Sequence, residues 1–369
     1  MTSQEEKILK ELDSLLIEIQ KKLNLNKILT PTNMEQEHKI FLQKKGKYNP
    51  IFTYDFPKIE EINNILKFIK DTENTYFKSN KYTNPISKLL HEKLQEQENK
   101  ANLIIAYIKQ DFKNIEKYNT ILFWSFDKKL ITKAEKVLSN YQEPTRETRW
   151  KKLNNQEISN YISSYLKKEN ITDIKVRRVK FATSKFTLVL TEKWCSLVFS
   201  ETFTTREHEL QANLMHEIQG HYKRYSNWKK TWRKILTYWT ANNTTDEEWF
   251  ATYLSHKYLK TFAPDFKKKS MYEKYLILAQ NQGKSFEKTS QFIQKINPQN
   301  NLTKIFKTIA RIKEWIQDTW IEKKGNLFLK NKCYLEWIEK VENRIKKWGQ
   351  EADLTMWKIK IEDLKLFKN

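Results

Sequence analysis

Two histidines, His216 and His221, stand five positions apart in the stretch LQANLMHEIQGHYKRYSNW (Leu210–Trp228), and Glu217 directly follows the first. Leu210, Leu214 and Ile218 recur four apart with Met215 beside them, the pattern of a helix with one buried stripe. Just upstream, Thr204-Thr205-Arg206-Glu207 has the Ser/Thr-x-x-Glu spacing of a capping box and marks a helix start. On a regular helix, positions four apart diverge by about 40° and positions five apart by about 140°. For both imidazoles to face one centre, the turn between them must widen, most simply as a π-bulge at Gln219-Gly220. No other feature of the chain constrains its fold as tightly.

A His-Glu pair with a second His one turn on has the chemistry of a zinc peptidase: two imidazoles bind the metal and the carboxylate acts on water. Two donors leave such a site incomplete, since a catalytic zinc needs a third protein ligand and an open position. Candidates follow in Thr244-Thr245-Asp246-Glu247-Glu248-Trp249-Phe250-Ala251 and just beyond, where Glu247, Glu248 and His256 are comparable on chemistry alone. The competing structural reading makes Thr245 and Glu248 a capping box, with the acidic residues suiting a helix N-terminus.

Composition narrows the setting. Cys195 and Cys333, the only two cysteines, lie far apart and give neither a disulfide framework nor a thiolate zinc site. The opening MTSQEEKILKELD lacks a basic and then apolar leader, and no run of about 18 apolar residues exists, so a cytoplasmic chain without a spanning helix is expected. The net charge of +23 would suit nucleic acid or an acidic protein tail. The excess is spread lysine with no block of like charge, so it reads as compositional drift, and a non-catalytic basic binding protein is the alternative reading.

The periodicity predicts an amphipathic helix over 5–24, an irregular connector over 27–58 containing Pro31, Pro50 and Pro57, and helices over 59–71, 86–112, 127–141 and 156–168. Short strands follow around Val176–Phe181, Phe186–Leu190 and Cys195–Phe199, directly before the histidine helix. Further helices are expected over 229–239, 246–262, 269–279, 285–295, 302–320 and 333–348. The fold class is therefore α+β, mostly α-helical, with a small antiparallel sheet preceding a bulged HExxxH helix. Residues 1–58 form an N-terminal helix and connector, and 59–369 a single domain.

Several motifs in order carry a resemblance. HEIQGH (His216–His221), Ser226-Asn227-Trp228 and Glu247-Glu248-Trp249-Phe250-Ala251 are similar to HEIGTH, Asn-Gly and Q/E-E-G-L-A of the microtubule-associated tyrosine carboxypeptidase family and its bacterial relatives. Arg311-Ile312-Lys313-Glu314-Trp315 and Phe328 to Trp337 resemble that family's R-x-K-R-G and F-x-K-D-x-x-Y-L-x-G stretches, with Glu314 where the family has Arg. Weaker likeness runs from Asn49-Pro50-Ile51-Phe52 to Trp357-Lys358-Ile359. The resemblance implies a zincin-like metallocarboxypeptidase with one Zn²⁺ held by His216, His221 and Glu248, and Glu217 as general base. Its substrate would be a peptide or protein C-terminus, with preference for a terminal Tyr or Phe. Such a substrate ends in a carboxylate, for which Arg311 and Lys313 are the candidate cations. Tyr334 is the candidate to steady the oxyanion.

The departures share a direction. Trp124, Trp228, Trp249, Trp315, Trp337 and Trp357 each fall where the family has Gly. The chain has 12 tryptophans and 5 glycines, where average usage of about 7 % would give roughly 25 glycines. The expectation is that the natural gene reads UGA as glycine and that glycine occupies these six positions in the natural protein.

Overall fold

The computed structural model describes residues 3–23, 31–78, 85–140, 151–179, 186–190, 194–201, 203–229, 243–260, 266–298, 300–332 and 335–336. In chain order the helices begin with α1 (Ser3–Lys22), α2 (Met34–Gln43), α3 (Ile59–Tyr76), α4 (Pro85–Ile108), α5 (Phe112–Phe123) and α6 (Lys128–Ser139). Next come β1 (Lys152–Leu153), α7 (Asn155–Lys168), β2 (Ile174–Val179), β3 (Phe186–Leu190), β4 (Cys195–Ser200) and β5 (Thr205–Arg206). Then follow α8 (Glu207–Leu214), a π-helix (Met215–Tyr222), α9 (Lys223–Lys229) and α10 (Asn243–Lys260). The last described elements are α11 (Phe266–Gln280), α12 (Phe286–Ile296), α13 (Leu302–Ile312) and a 3₁₀ turn (Leu329–Lys332). The protein is mostly helical with a small sheet, as its periodicity requires.

The described residues fall into two compact units, one from those of Met1–Ser139 and Tyr272–Glu336, the other from those of Asn140–Trp232 and Asn243–Met271. In the first, α1 packs on α3 and α4 through Leu9, Leu12, Leu16 and Ile19. The connector holds a helix that apolar periodicity does not show. Phe41 of α2 is buried, but so is Glu37, whose carboxylate accepts from the Tyr48 hydroxyl at 3.0 Å and the Ile51 N–H at 3.1 Å. An inward acid with its own donors breaks the apolar pattern without breaking the helix. The expected helix over 86–112 also ends sooner. Gln110 takes φ 50°, and Asp111 then caps α5 by accepting from Asn114 N–H at 3.2 Å.

Two helix ends bear on the tryptophans. α5 stops at Trp124, with φ 59° and ψ 175°, a region that is essentially glycine's. α13 stops at Ile312 instead of running to 320, because the chain turns back through Trp315 at φ 73° and Phe328 N–H then bonds Ile312 O at 2.8 Å. Trp315 is wholly buried against Tyr107 and Phe328, and its indole N–H meets no acceptor among the described residues. Trp228 and Trp249 stand in helical backbone, which any residue adopts. Trp337 and Trp357 lie outside the described residues.

The same turn takes two neighbouring ionisable side chains out of water, Lys313 buried and Glu314 half-buried. Burial lowers Lys313 from its ordinary 10.5 to about 7, and burial raises Glu314 from 4.5 to about 7, against opposing pulls from Glu322 on the lysine and from Arg311 and Lys330 on the glutamate. The native Glu314 keeps its proton after the unfolded chain has lost it, so its cost to stability grows as pH rises from 4.5 to about 7. Lys313 gives up its proton near 7 in the native state but only near 10.5 unfolded, so its cost is complete below about 7 and fades over that upper interval. Thermal melts across pH should show Glu314→Gln flattening the acid limb and Lys313→Met the alkaline limb. Wild-type slopes in both variants would refute the assignment.

In the second unit the three-stranded sheet has order β2-β4-β3. β3 runs antiparallel to β4 (Leu188 opposite Leu197), but β2 runs parallel to β4 (Ile174 opposite Cys195). The sheet is thus mixed and not the antiparallel one expected. The parallel neighbours are not consecutive in the chain, and β3 is made between them. A separate antiparallel pair sets Leu153 of β1 opposite Thr205 of β5 and leads into α8. The core of this unit joins α7 (Ile158, Ile162), the sheet (Leu197, Phe199) and one stripe of the histidine helix.

Candidate metal centre

The stripe read from the sequence is the buried face. Leu210, Leu214 and Ile218 are each fully enclosed, and Tyr222 and Tyr225 continue the line. Each buried leucine or isoleucine contributes about 1.5–3 kcal/mol, so this face fixes the rotation of the helix. The helix begins two residues later than Thr204-x-x-Glu207 suggests. Thr205 and Arg206 pair as β5, and the cap is made by Glu209, which accepts from Arg206 N–H at 3.2 Å and Thr205 Oγ1 at 3.0 Å.

The widened turn is present and longer than a single bulge, since Met215–Tyr222 is π-helical over 8 residues. A π-turn bonds each residue to the fifth along, so positions 216 and 221 come round to one side. His216 Nε2 and His221 Nε2 lie 3.2 Å apart. Glu248 Oε2, from α10, lies 3.7 Å from the first and 4.0 Å from the second. Donors at 2.0–2.1 Å from a tetrahedral zinc sit about 3.3 Å from one another, so these separations need only small closure to hold one ion. Among the described residues this is the group of three His, Cys, Asp or Glu donors close enough to share a metal, all partly exposed. Two neutral imidazoles and one carboxylate also form a borderline donor set that suits zinc.

Glu248 does not cap its helix. α10 starts at Asn243, which puts Thr245 and Glu248 inside it and frees the carboxylate from the capping role. The side chain of Glu247 lies outside the described residues, and His256 is buried farther along α10, apart from the trio. Glu217, half-buried, accepts from the Leu188 N–H of β3 at 3.2 Å. The carboxylate beside the first histidine is therefore anchored on the edge strand of the sheet.

A polar set on α7 and its end holds the π-helix from the side, and spacing alone does not reveal it. Gln219 Nε2 donates to Tyr165 Oη and to Glu169 Oε2, each at 2.9 Å, and Lys223 Nζ reaches Glu169 Oε2 at 3.1 Å. The Tyr222 hydroxyl donates to Asp173. Burial pushes Tyr165 up to about 12. Burial also pulls Glu169 upward, but the Gln219 amide and the Lys223 ammonium together hold it below the usual carboxylate range. These partners come from about fifty residues upstream, so no local motif marks them.

Arg311 and Lys313 belong to the first unit, and the trio belongs to the second. Arg311 is exposed at the end of α13. Lys313, expected to meet a substrate carboxylate, is instead buried with its ammonium donating to Lys284 O at 2.7 Å and Asn326 O at 3.5 Å. Tyr334 lies outside the described residues. Among the described residues no helix is long and apolar enough to cross a membrane. A scan against protein-family models and a search of curated proteins both return no match to this chain.

Proposed function

We propose that the chain is a zinc metallocarboxypeptidase that removes a C-terminal residue, with an aromatic side chain, from a peptide or protein, like the tyrosine carboxypeptidase family it resembles. The zincin-like arrangement, one zinc per chain, and the roles of His216, His221 and Glu248 as ligands and Glu217 as base all belong to this reading. The observation that carries it is the convergence, within 4.8 Å, of two histidines on a π-turn whose width the i,i+5 spacing demands and a glutamate from α10.

When bound, zinc would supply Lewis acidity toward a water and the scissile carbonyl. Glu217, fixed by the Leu188 N–H, accepts the proton of the attacking water and passes it to the leaving amine. The outer edge of β3 runs beside that carboxylate and offers main-chain groups to an extended peptide. Lys313 is committed to main-chain carbonyls and so does not serve as the cation for the terminal carboxylate.

Metal analysis of the purified chain tests the reading: about one tightly bound zinc per molecule is expected. A panel of peptides differing only in the last residue should then show loss of a terminal Tyr or Phe and no cleavage of amidated ends. The charge of +23 favours one other outcome, a metal-free protein that binds RNA in a salt-sensitive way, which would overturn the enzyme reading.

A further inference from the structure

Glu248 comes from a helix well separated in sequence from the histidines, and α10 packs along both α8 and the π-helix. The packing is closest at Gly220. A Cβ at that position would lie 2.4 Å from Ala251 Cβ, 2.5 Å from Ala251 Cα and 3.3 Å from Ala251 N. Carbon atoms cannot approach that closely, so the two helices touch main chain to main chain only because position 220 has no side chain. Its backbone is helical, so the glycine is required for space and not for conformation. Ala251 follows Glu248 by three residues, one turn along the same face, and Gly220 directly precedes His221. The contact is therefore one turn from Glu248 on α10 and one residue from His221 on the π-helix.

We infer that Gly220 is a positioning residue for the third metal ligand: it seats α10 against the π-helix at the depth from which the Glu248 carboxylate reaches both imidazoles. Any side chain there lifts α10 by the missing space and withdraws the carboxylate, leaving a two-histidine site. Ala251 is its counterpart, small for the same reason and buried. This rests on the metal-site reading above. Supporting contacts outside the ligand set shift metal affinity by about 10–100-fold, and a contact that sets a ligand's reach belongs to that range.

Zinc affinity, measured by competition with a chromophoric chelator, tests it on four full-length proteins: wild type, Gly220→Ala, Glu248→Ala and the double variant. Gly220→Ala should weaken zinc by about 10–100-fold while circular dichroism stays that of the wild type. In the Glu248→Ala background the same change should cost no further affinity, because its effect runs through a carboxylate already gone. Ala251→Val, which crowds the contact from the other helix, should reproduce the loss, and it carries the test if Gly220→Ala does not fold. A folded Gly220→Ala with wild-type affinity overturns the inference, as does a loss that adds in full to that of Glu248→Ala. In both cases zinc binding by the wild type leaves the metal-site reading standing. A wild type without zinc defeats both.

Discussion

On the proposed mechanism, Glu217→Gln is expected to leave zinc bound at the wild-type stoichiometry and to lower turnover by about 10²–10⁴, the usual contribution of a positioned general base. The amide has the shape of the carboxylate, and its oxygen can still accept from Leu188 N–H, so the anchoring to β3 survives. What is lost is the ability to take a proton. Glu248→Ala is expected to fail differently. It removes the donor that lies 3.7 and 4.0 Å from the two imidazole nitrogens, so zinc dissociates and activity falls with it. Added zinc should then restore part of the activity of Glu248→Ala and none of that of Glu217→Gln. Parallel metal analysis and peptide hydrolysis separate the two roles. Turnover of zinc-loaded Glu217→Gln within tenfold of the wild type would remove Glu217 from the mechanism.

Trp124→Gly is expected to stabilise the chain by about 1–3 kcal/mol, the usual cost of holding a side-chain-bearing residue in a sparsely populated backbone region. The indole stands at the end of α5 with φ 59° and ψ 175°, where only glycine is at ease. It is only half-buried, so removing it leaves no large core void to set against the gain. Denaturant melts of the two proteins give the sign directly: equal or lower stability of the glycine form would show that the turn accepts tryptophan. Trp315 is the less clean case. It has the same left-handed φ and an indole N–H with no acceptor among the described residues, but it fills core space between Tyr107 and Phe328. Peptide sequencing of the natural protein across both positions would show which residue its own ribosomes insert.

Those two positions also explain what the sequence concealed. α5 falls between the expected helices over 86–112 and 127–141, and the stop of α13 is not legible; a helix stop is usually announced by glycine, and tryptophan stands at Trp124 and Trp315 instead. α2 was hidden by Glu37, an inward acid with two dedicated donors that reads as a break in an apolar face. The parallel pairing of β2 with β4 depends on which strand comes to lie between which, and alternation along a strand carries no such information. By contrast, the stripe Leu210, Leu214, Ile218 and the wide turn were open to reading, since both follow from spacing within one helix. Glu248 stands level with Glu247 and His256 on chemistry; the resemblance favours it, and among the described side chains it is the one of these that lies close to both imidazoles.

A π-turn is an α-turn holding one extra residue. Without Gln219, the segment Met215–Tyr222 would read His-Glu-Ile-Gly-His, with its imidazoles four apart as a regular helix requires. In an ordinary helix, losing one residue swings everything downstream by about 100° and scatters its face. Here the same loss could be taken up by relaxation of the wide turn, and both rings would still meet on one side. The wide motif and the regular one are thus neighbours separated by a single codon, joined by a length change that the metal-facing side can survive. Gln219 is the added residue's natural place, for it points away to Tyr165 and Glu169 and ties down the slack that its own presence creates.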